Sequence, residues 1–220
     1  MEFFPTLLVK GGPVTWIITF FAVVVTLMIL ERLLHFHRAQ INVPEFLRGV
    51  INVLKRGNAV EAVSICDDTP GPVAYVLRAA ILRCEHGERV MKQAVEEASL
   101  LEIPRLERSL GALATIATLA PVLGLLGTVV GVIQLFQDME AAGGAFVDVK
   151  ILAQGIWQAL ISTAAGLCVG IPVHGFYNYF VRRVDNIILD MEKAASELIF
   201  FLSENPIMFD SSKADSPRRK

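Results

Sequence analysis

The sequence predicts an all-α membrane protein with three transmembrane helices, the second and third long enough to extend into a helical cytoplasmic domain. Of the 220 residues, 54% are hydrophobic and only 19% charged, which lies above and below the usual soluble domain respectively. The charges avoid three runs, residues 14–30, 109–137 and 151–181. A helix crosses about 30 Å of hydrocarbon with about 20 apolar residues. The first run reaches that length with its flank to residue 34, and the other two exceed it.

The N-terminal segment 1–13 precedes span one, 14–34. A cleaved signal peptide would carry a basic start and a small-residue cleavage site. Here Lys10 is set against Glu2, and the apolar run ends in Glu31-Arg32 with no A-x-A pattern, so the run reads as a retained span. Residues 35–108 form a helical domain. Apolar residues recur at helical spacing over 44–56 and 58–66, with Asn58 as an N-cap after Gly57. The DDTPGP stretch at 67–72 breaks the chain, because two prolines and a glycine cannot continue a helix. Helices over 73–84 and 88–101 follow, and Pro104 is expected to kink or restart the last of these before span two, 109–137. A short connection, 138–150, leads to span three, 151–181. The tail, 182–220, holds an amphipathic helix over 185–202 and ends in SSKADSPRRK, a composition expected to be disordered.

Basic residues set the orientation. Residues 35–108 hold ten Lys and Arg and residues 182–220 hold seven, whereas the N-terminal segment and the 138–150 connection hold one each. The positive-inside rule places the N-terminus and the connection outside, and the large loop and C-terminus in the cytoplasm. Acidic and basic residues balance in the loop, so no nucleic-acid surface is indicated. Cys66, Cys84 and Cys168 form no metal-binding or redox motif. No nucleophile–base pair, metal site or cofactor signature is present, and an enzyme is not expected.

Spans two and three carry small residues at regular intervals. Ala117, Gly124 and Gly131 repeat every seven residues with Gly127 beside them, and Gly155, Ala159, Ser162, Gly166 and Gly170 step by three or four. Small residues let helices approach closely in lipid, where water no longer drives association. An intrachain hairpin accounts for one such stripe, and two stripes with prolines favour packing between subunits as well. Pro121 and Pro172 each remove a backbone donor, leaving the Ala117 and Cys168 carbonyls without their helical partner.

Thr128 and Thr163 stand roughly 14 and 20 Å from the outer ends of their spans, at 1.5 Å per residue. At similar depth they can ring a polar channel, or each can bond back to its own helix. Within the three charge-free runs there is no Asp, Glu, Lys or Arg, and the candidate titratable group is His174, on the Thr163 face but close to Arg182 at the cytoplasmic interface. It is a candidate relay or an ordinary interfacial residue. A proton path normally needs a titratable group inside the membrane, so the acid would come from a partner.

The run GALATIATLAPVLGLLGTVVGVIQLF (111–136) resembles the second span of the MotA/TolQ/ExbB proton-channel family, and GIWQALISTAAGLCVGIPVHGFYN (155–178) its third. The stretches RGNAVEAVSICDDTPGPVAYVLRAAI and EIPRLERSL are similar to the cytoplasmic loop of ExbB-like members, and three spans fit ExbB or TolQ better than the four-span MotA. The resemblance implies a pentamer around a pore that holds the single spans of an ExbD-like partner with a membrane aspartate, energising a TonB-like protein from the inner membrane. It also places Thr128 and Thr163 at the family's pore threonines. Many ExbB sequences have a glutamate where this chain has Gln158, which cannot titrate. Gln154, Gln158 and Ser162 form a stripe expected away from the Thr163 face, with a structural or gating role. Alternative readings are a TolQ-type subunit for envelope integrity and division, or a membrane assembly scaffold that conducts no ions.

Overall fold

The computed structural model describes residues 12–38, 42–141 and 149–205, with the backbone alone at 34–38. The segment 1–11, most of the 138–150 connection and the SSKADSPRRK tail lie outside the described residues. Seven α-helices and one 3-10 turn account for nearly all of the described chain, and no strand occurs among the described residues. The helices are α1 (Gly12–Arg38), α2 (Val43–Lys55), α3 (Ala59–Asp68), α4 (Pro72–Ile81), α5 (Glu88–Glu107), α6 (Leu110–Ala141) and α7 (Val149–Glu204), with the 3-10 turn at Cys84–His86. Three stretches are long and apolar enough to cross a membrane: Gly12–Leu33, Glu88–Ala141 and Val149–Glu204. The fold is therefore all-α with three candidate spans.

The chain divides into two compact units. One comprises Met1–Leu34 and Ser109–Val181, the other His35–Arg108 and Arg182–Lys220.

The second unit is built from α2–α5 and the last part of α7, and turn chemistry sets its boundaries. Gly57 ends α2 in the left-handed region (φ +78), and its N–H donates to the Leu54 carbonyl at 2.9 Å. Asn58 then caps α3: its Oδ1 accepts from the Glu61 N–H at 3.3 Å and its Nδ2 donates to Glu61 Oε2 at 2.8 Å. The first bond satisfies one backbone donor that the helix start leaves open, and the second ties the Glu61 carboxylate to the cap side chain. Gly71 (φ +138) and Pro72 end the DDTPGP break and start α4, with proline where a missing N–H costs nothing. Leu54, Ala62, Val76, Leu77, Ala80 and Leu198 are completely buried in one apolar core, joined by Met91 of α5 and Met191 of α7. Lys55 Nζ lies 5.8 Å from the centre of the Phe201 ring, a further tie between α2 and α7.

Three details differ from the sequence-based expectation. Pro104 lies inside α5, and the break before α6 falls at residues 108–109. Pro104 leaves the Leu100 carbonyl without its helical donor, yet the helix runs on for three further residues to Glu107. The helix expected over 73–84 ends at Ile81, and a 3-10 turn closes it before Gly87 (φ +89). The helix expected over 185–202 is the continuation of α7. Arg182, Arg183 and Asp185 interrupt the apolar run but include no helix breaker, and the buried positions Val184, Met191, Ala195, Leu198 and Leu202 keep helical spacing.

In the first unit α6 and α7 form an antiparallel pair, and α1 lies against them through Val14 and Gly12. Val14, Thr15, Ile18 and Val25 are the buried face of α1. Trp16, Phe20, Val23 and Leu27 are exposed, as a helix surrounded by hydrocarbon requires.

Candidate functional site

The site is the face between α6 and α7, and glycine brings the two backbones together there. A β-carbon on Gly124 would stand 3.0 Å from the Ser162 carbonyl oxygen and 3.1 Å from Gly166 Cα. One on Gly127 would stand 2.5 Å from Ser162 Cβ, and one on Gly131 3.2 Å from Ala159 Cβ. Further along, a β-carbon on Gly155 would stand 2.7 Å from Leu135 Cβ and one on Gly170 2.5 Å from Pro121 Cγ. Both stripes of small residues therefore meet in one intrachain seam, and neither is left over for a second subunit. The large apolar side chains that the same helices expose, such as Leu125, Val129, Phe136, Trp157 and Leu160, are what a bilayer or another chain would cover.

The Thr163 hydroxyl reaches α6 across this seam, about one turn from Thr128. Thr163 Oγ1 donates to the Gly124 carbonyl at 3.2 Å, four residues before Thr128 on α6. Thr128 Oγ1 instead donates within its own helix, to the Leu125 carbonyl. Of the two geometries open from spacing, back-bonding thus describes Thr128, while Thr163 bonds across the helices. Both side chains remain partly exposed, and each hydroxyl oxygen keeps lone pairs that can accept a further hydrogen bond.

Gln158 has a partner that the sequence reading missed. Its Nε2 donates to Gln134 Oε1 at 2.7 Å, and the same nitrogen stands 2.5 Å from where a β-carbon on Gly12 would be. Gly12 opens α1 in the left-handed region (φ +73), so only glycine fits easily on either count. The signal was present: Gly124, Gly127 and Gly131 advance by three and four residues, and the next step is Gln134.

Ser162 is fully buried and bonds to the Gln158 and Ala159 carbonyls of its own helix, while Gln154 is exposed. Gln158, Ser162 and Thr163 all engage α6, so the glutamine stripe is not set away from Thr163. Glycine explains this. Backbones in contact widen the seam, and residues about 100° apart on α7 reach the same neighbour.

His174 is exposed, with its ring 6.2 Å from that of Tyr177. Pro121 is packed at Gly170, whereas Pro172 is exposed. Among the described residues no group of His, Cys, Asp or Glu is arranged to hold a metal ion.

Hydroxyls and amides line this apolar helix seam, and no Asp, Glu, Lys or Arg occurs over residues 109–137 and 151–181. Residues 69–193 match the MotA/TolQ/ExbB proton channel family, and the chain belongs to that family. Relatives that it matches carry ExbB names. A putative biopolymer transport protein ExbB homolog of Methanothermobacter thermautotrophicus is 29% identical over 87% of this chain and 69% of its own length. The biopolymer transport protein ExbB of Pseudomonas putida is 29% identical over 72% of this chain and 51% of its own. A putative biopolymer transport protein ExbB-like 3 of Synechocystis sp. is 26% identical over 77% and 81%. The chain thus spans about half the length of the Pseudomonas relative and more than two thirds of the other two.

Proposed function

We propose that the chain is the pore-wall subunit of an ion-driven motor of the inner membrane, with several copies, five by family resemblance, surrounding the single spans of an ExbD-like partner. The N-terminus and the 138–150 connection face outward, and the second unit with the C-terminus lies in the cytoplasm. The partner supplies the acidic group, and ion flow past it works a TonB-like protein that energises transport of biopolymers.

One observation carries this reading. Thr163 bonds the Gly124 carbonyl one turn from Thr128, inside spans that have no Asp, Glu, Lys or Arg over residues 110–137 and 151–181. Neutral hydroxyls can guide and solvate an ion but cannot store a proton at physiological pH. A proton-coupled device built on them therefore needs a titrating group from another chain. The ExbB names of the relatives support the transport role.

The test is ion flux in liposomes holding the chain together with its single-span partner. Thr128→Val and Thr163→Val are expected to abolish partner-dependent flux while the complex still assembles. Normal flux in both variants overturns the pore role, and no flux in the unmodified complex favours a scaffold that conducts nothing.

A further inference from the structure

The seam between α6 and α7 is apolar or hydroxylic over most of its length, with one amide pair near its outer end. Gln134 and Gln158 each stand two to three turns inside their helices, and both are partly buried. An amide withdrawn from water needs a partner, and each of these supplies the other's. Leu135 against Gly155 and Gly131 against Ala159 flank the pair. Each packs an apolar group against a glycine, and neither contact is directional. A hydrogen bond of 2.7 Å is directional, and a shift of one residue (about 1.5 Å) breaks it.

We propose that Gln134 is a positioning residue, which through its hydrogen bond to Gln158 fixes the register of α6 on α7 and thereby the placement of the Thr163 hydroxyl at the Gly124 carbonyl. The inference rests on the pore role given to Thr163 and goes beyond it by assigning a residue outside the threonine pair. Gln134 and Thr163 are far apart along the seam, but the intervening contacts, Gly131–Ala159 and Gly127–Ser162, are too close to absorb a slip. Because both partners are amides, the tie does not respond to pH. The nearest charged residues on the packed helices are Asp138 on α6 and Lys150 on α7, both exposed and further out. On α1 the first one among the described residues is Glu31, toward its other end.

The test uses the full chain co-reconstituted with its single-span partner in liposomes. Gln134→Leu is expected to lower flux roughly three- to tenfold, the range spanned by one interhelical hydrogen bond in lipid, with the complex still assembled. Gln134→Glu keeps an acceptor for the Gln158 N–H and is expected to conduct within about twofold of the unmodified chain. The double variant Gln134→Glu/Gln158→Glu is the decisive one. Two facing carboxyls share a proton in acid and repel once both ionise, so flux is expected in acid and lost as pH rises, a step absent from both single variants. A double variant with the same pH profile as the singles, or full flux in Gln134→Leu, overturns the proposal.

If Gln134→Leu fails to assemble, thermal midpoints of the solubilised chain decide instead. Gln134→Leu, Gln158→Leu and their combination are expected to be non-additive, with the double no worse than the poorer single, and additive shifts reject the pair. Should Thr163→Val conduct normally while the midpoints are non-additive, the pore role fails and the amide tie stands as a purely structural one.

Discussion

Gly124 and Gly166 meet backbone to backbone: a β-carbon on Gly166 would lie 2.8 Å from Gly124 Cα and 2.6 Å from the Ala120 carbonyl oxygen. The pair is a close backbone approach of the two long spans, and the Thr163 hydrogen bond to the Gly124 carbonyl sits directly on it.

Gly166→Ala must therefore move one helix. The cost expected for overpacking a tight contact is about 1–3 kcal/mol. Gly175, on the same helix, has open space around it, and Gly175→Ala is expected to be neutral or to stabilise by up to about 1 kcal/mol through helix propensity. Thermal midpoints of the two purified variants in one detergent check the contrast, and equal shifts contradict the seam.

Thr163 needs its hydroxyl, not its methyl. Thr163→Ser is expected to keep the bond to Gly124 and to retain partner-dependent flux. Thr163→Val loses the bond, at roughly 0.6 kcal/mol for an interhelical hydrogen bond in a membrane protein. A serine variant as inactive as the valine would show that the methyl contact matters instead.

In the second unit, Asn58→Ala removes the cap of α3 and is expected to cost about 1 kcal/mol. Gly57→Ala is expected to destabilise as well, because alanine is strained at φ +78. Val60, nearby and 81% exposed, serves as the control: Val60→Ala is expected to leave the midpoint within about 0.5 kcal/mol of the parent. Circular-dichroism melts measure all three.

The Cys66 thiol is buried and pushed up to about 11, first by burial, then by the neighbouring Asp67 carboxylate, with Arg78 pulling the other way. Cys84 is also raised, again chiefly by burial and then by Glu85. A thiol whose pKa is higher folded than unfolded contributes stability that is complete below about pH 9 and lost as pH rises toward 11. Alkylation of the native protein near pH 8 is expected to spare Cys66 until unfolding. Cys66→Ser is expected to flatten the alkaline loss of stability. Fast labelling of Cys66 in the folded chain contradicts its burial.

Much of this architecture is legible in the residues themselves. The charge-free runs mark the spans, Asn58 marks a helix start, and Gly124 with Gly166 mark a close approach. What could not be read was pairing. Spacing gives the face of one helix, not the residue opposite, so two glycine stripes left the choice between one seam and two. Gln134 escaped notice for the same reason, since an amide among Val132, Ile133 and Leu135 acquires meaning only when Gln158 stands across from it. The continuation of α7 beyond Val181 was hidden by Arg182 and Arg183, which resemble the end of a span although charge by itself does not end a helix.

Both compact units close on residues of α7, which follows every other described helix along the chain. In one, Gly12 and Gly127 wait for Gln158 and Ser162; in the other, the core around Leu54 and Leu77 waits for Met191 and Leu198. During synthesis α1 and α6 thus enter the bilayer before most of their native contacts exist, protected only by their apolar surfaces. A stalled or prematurely terminated chain leaves two unfinished bodies rather than one finished and one missing, which gives cellular quality control a single late event to monitor.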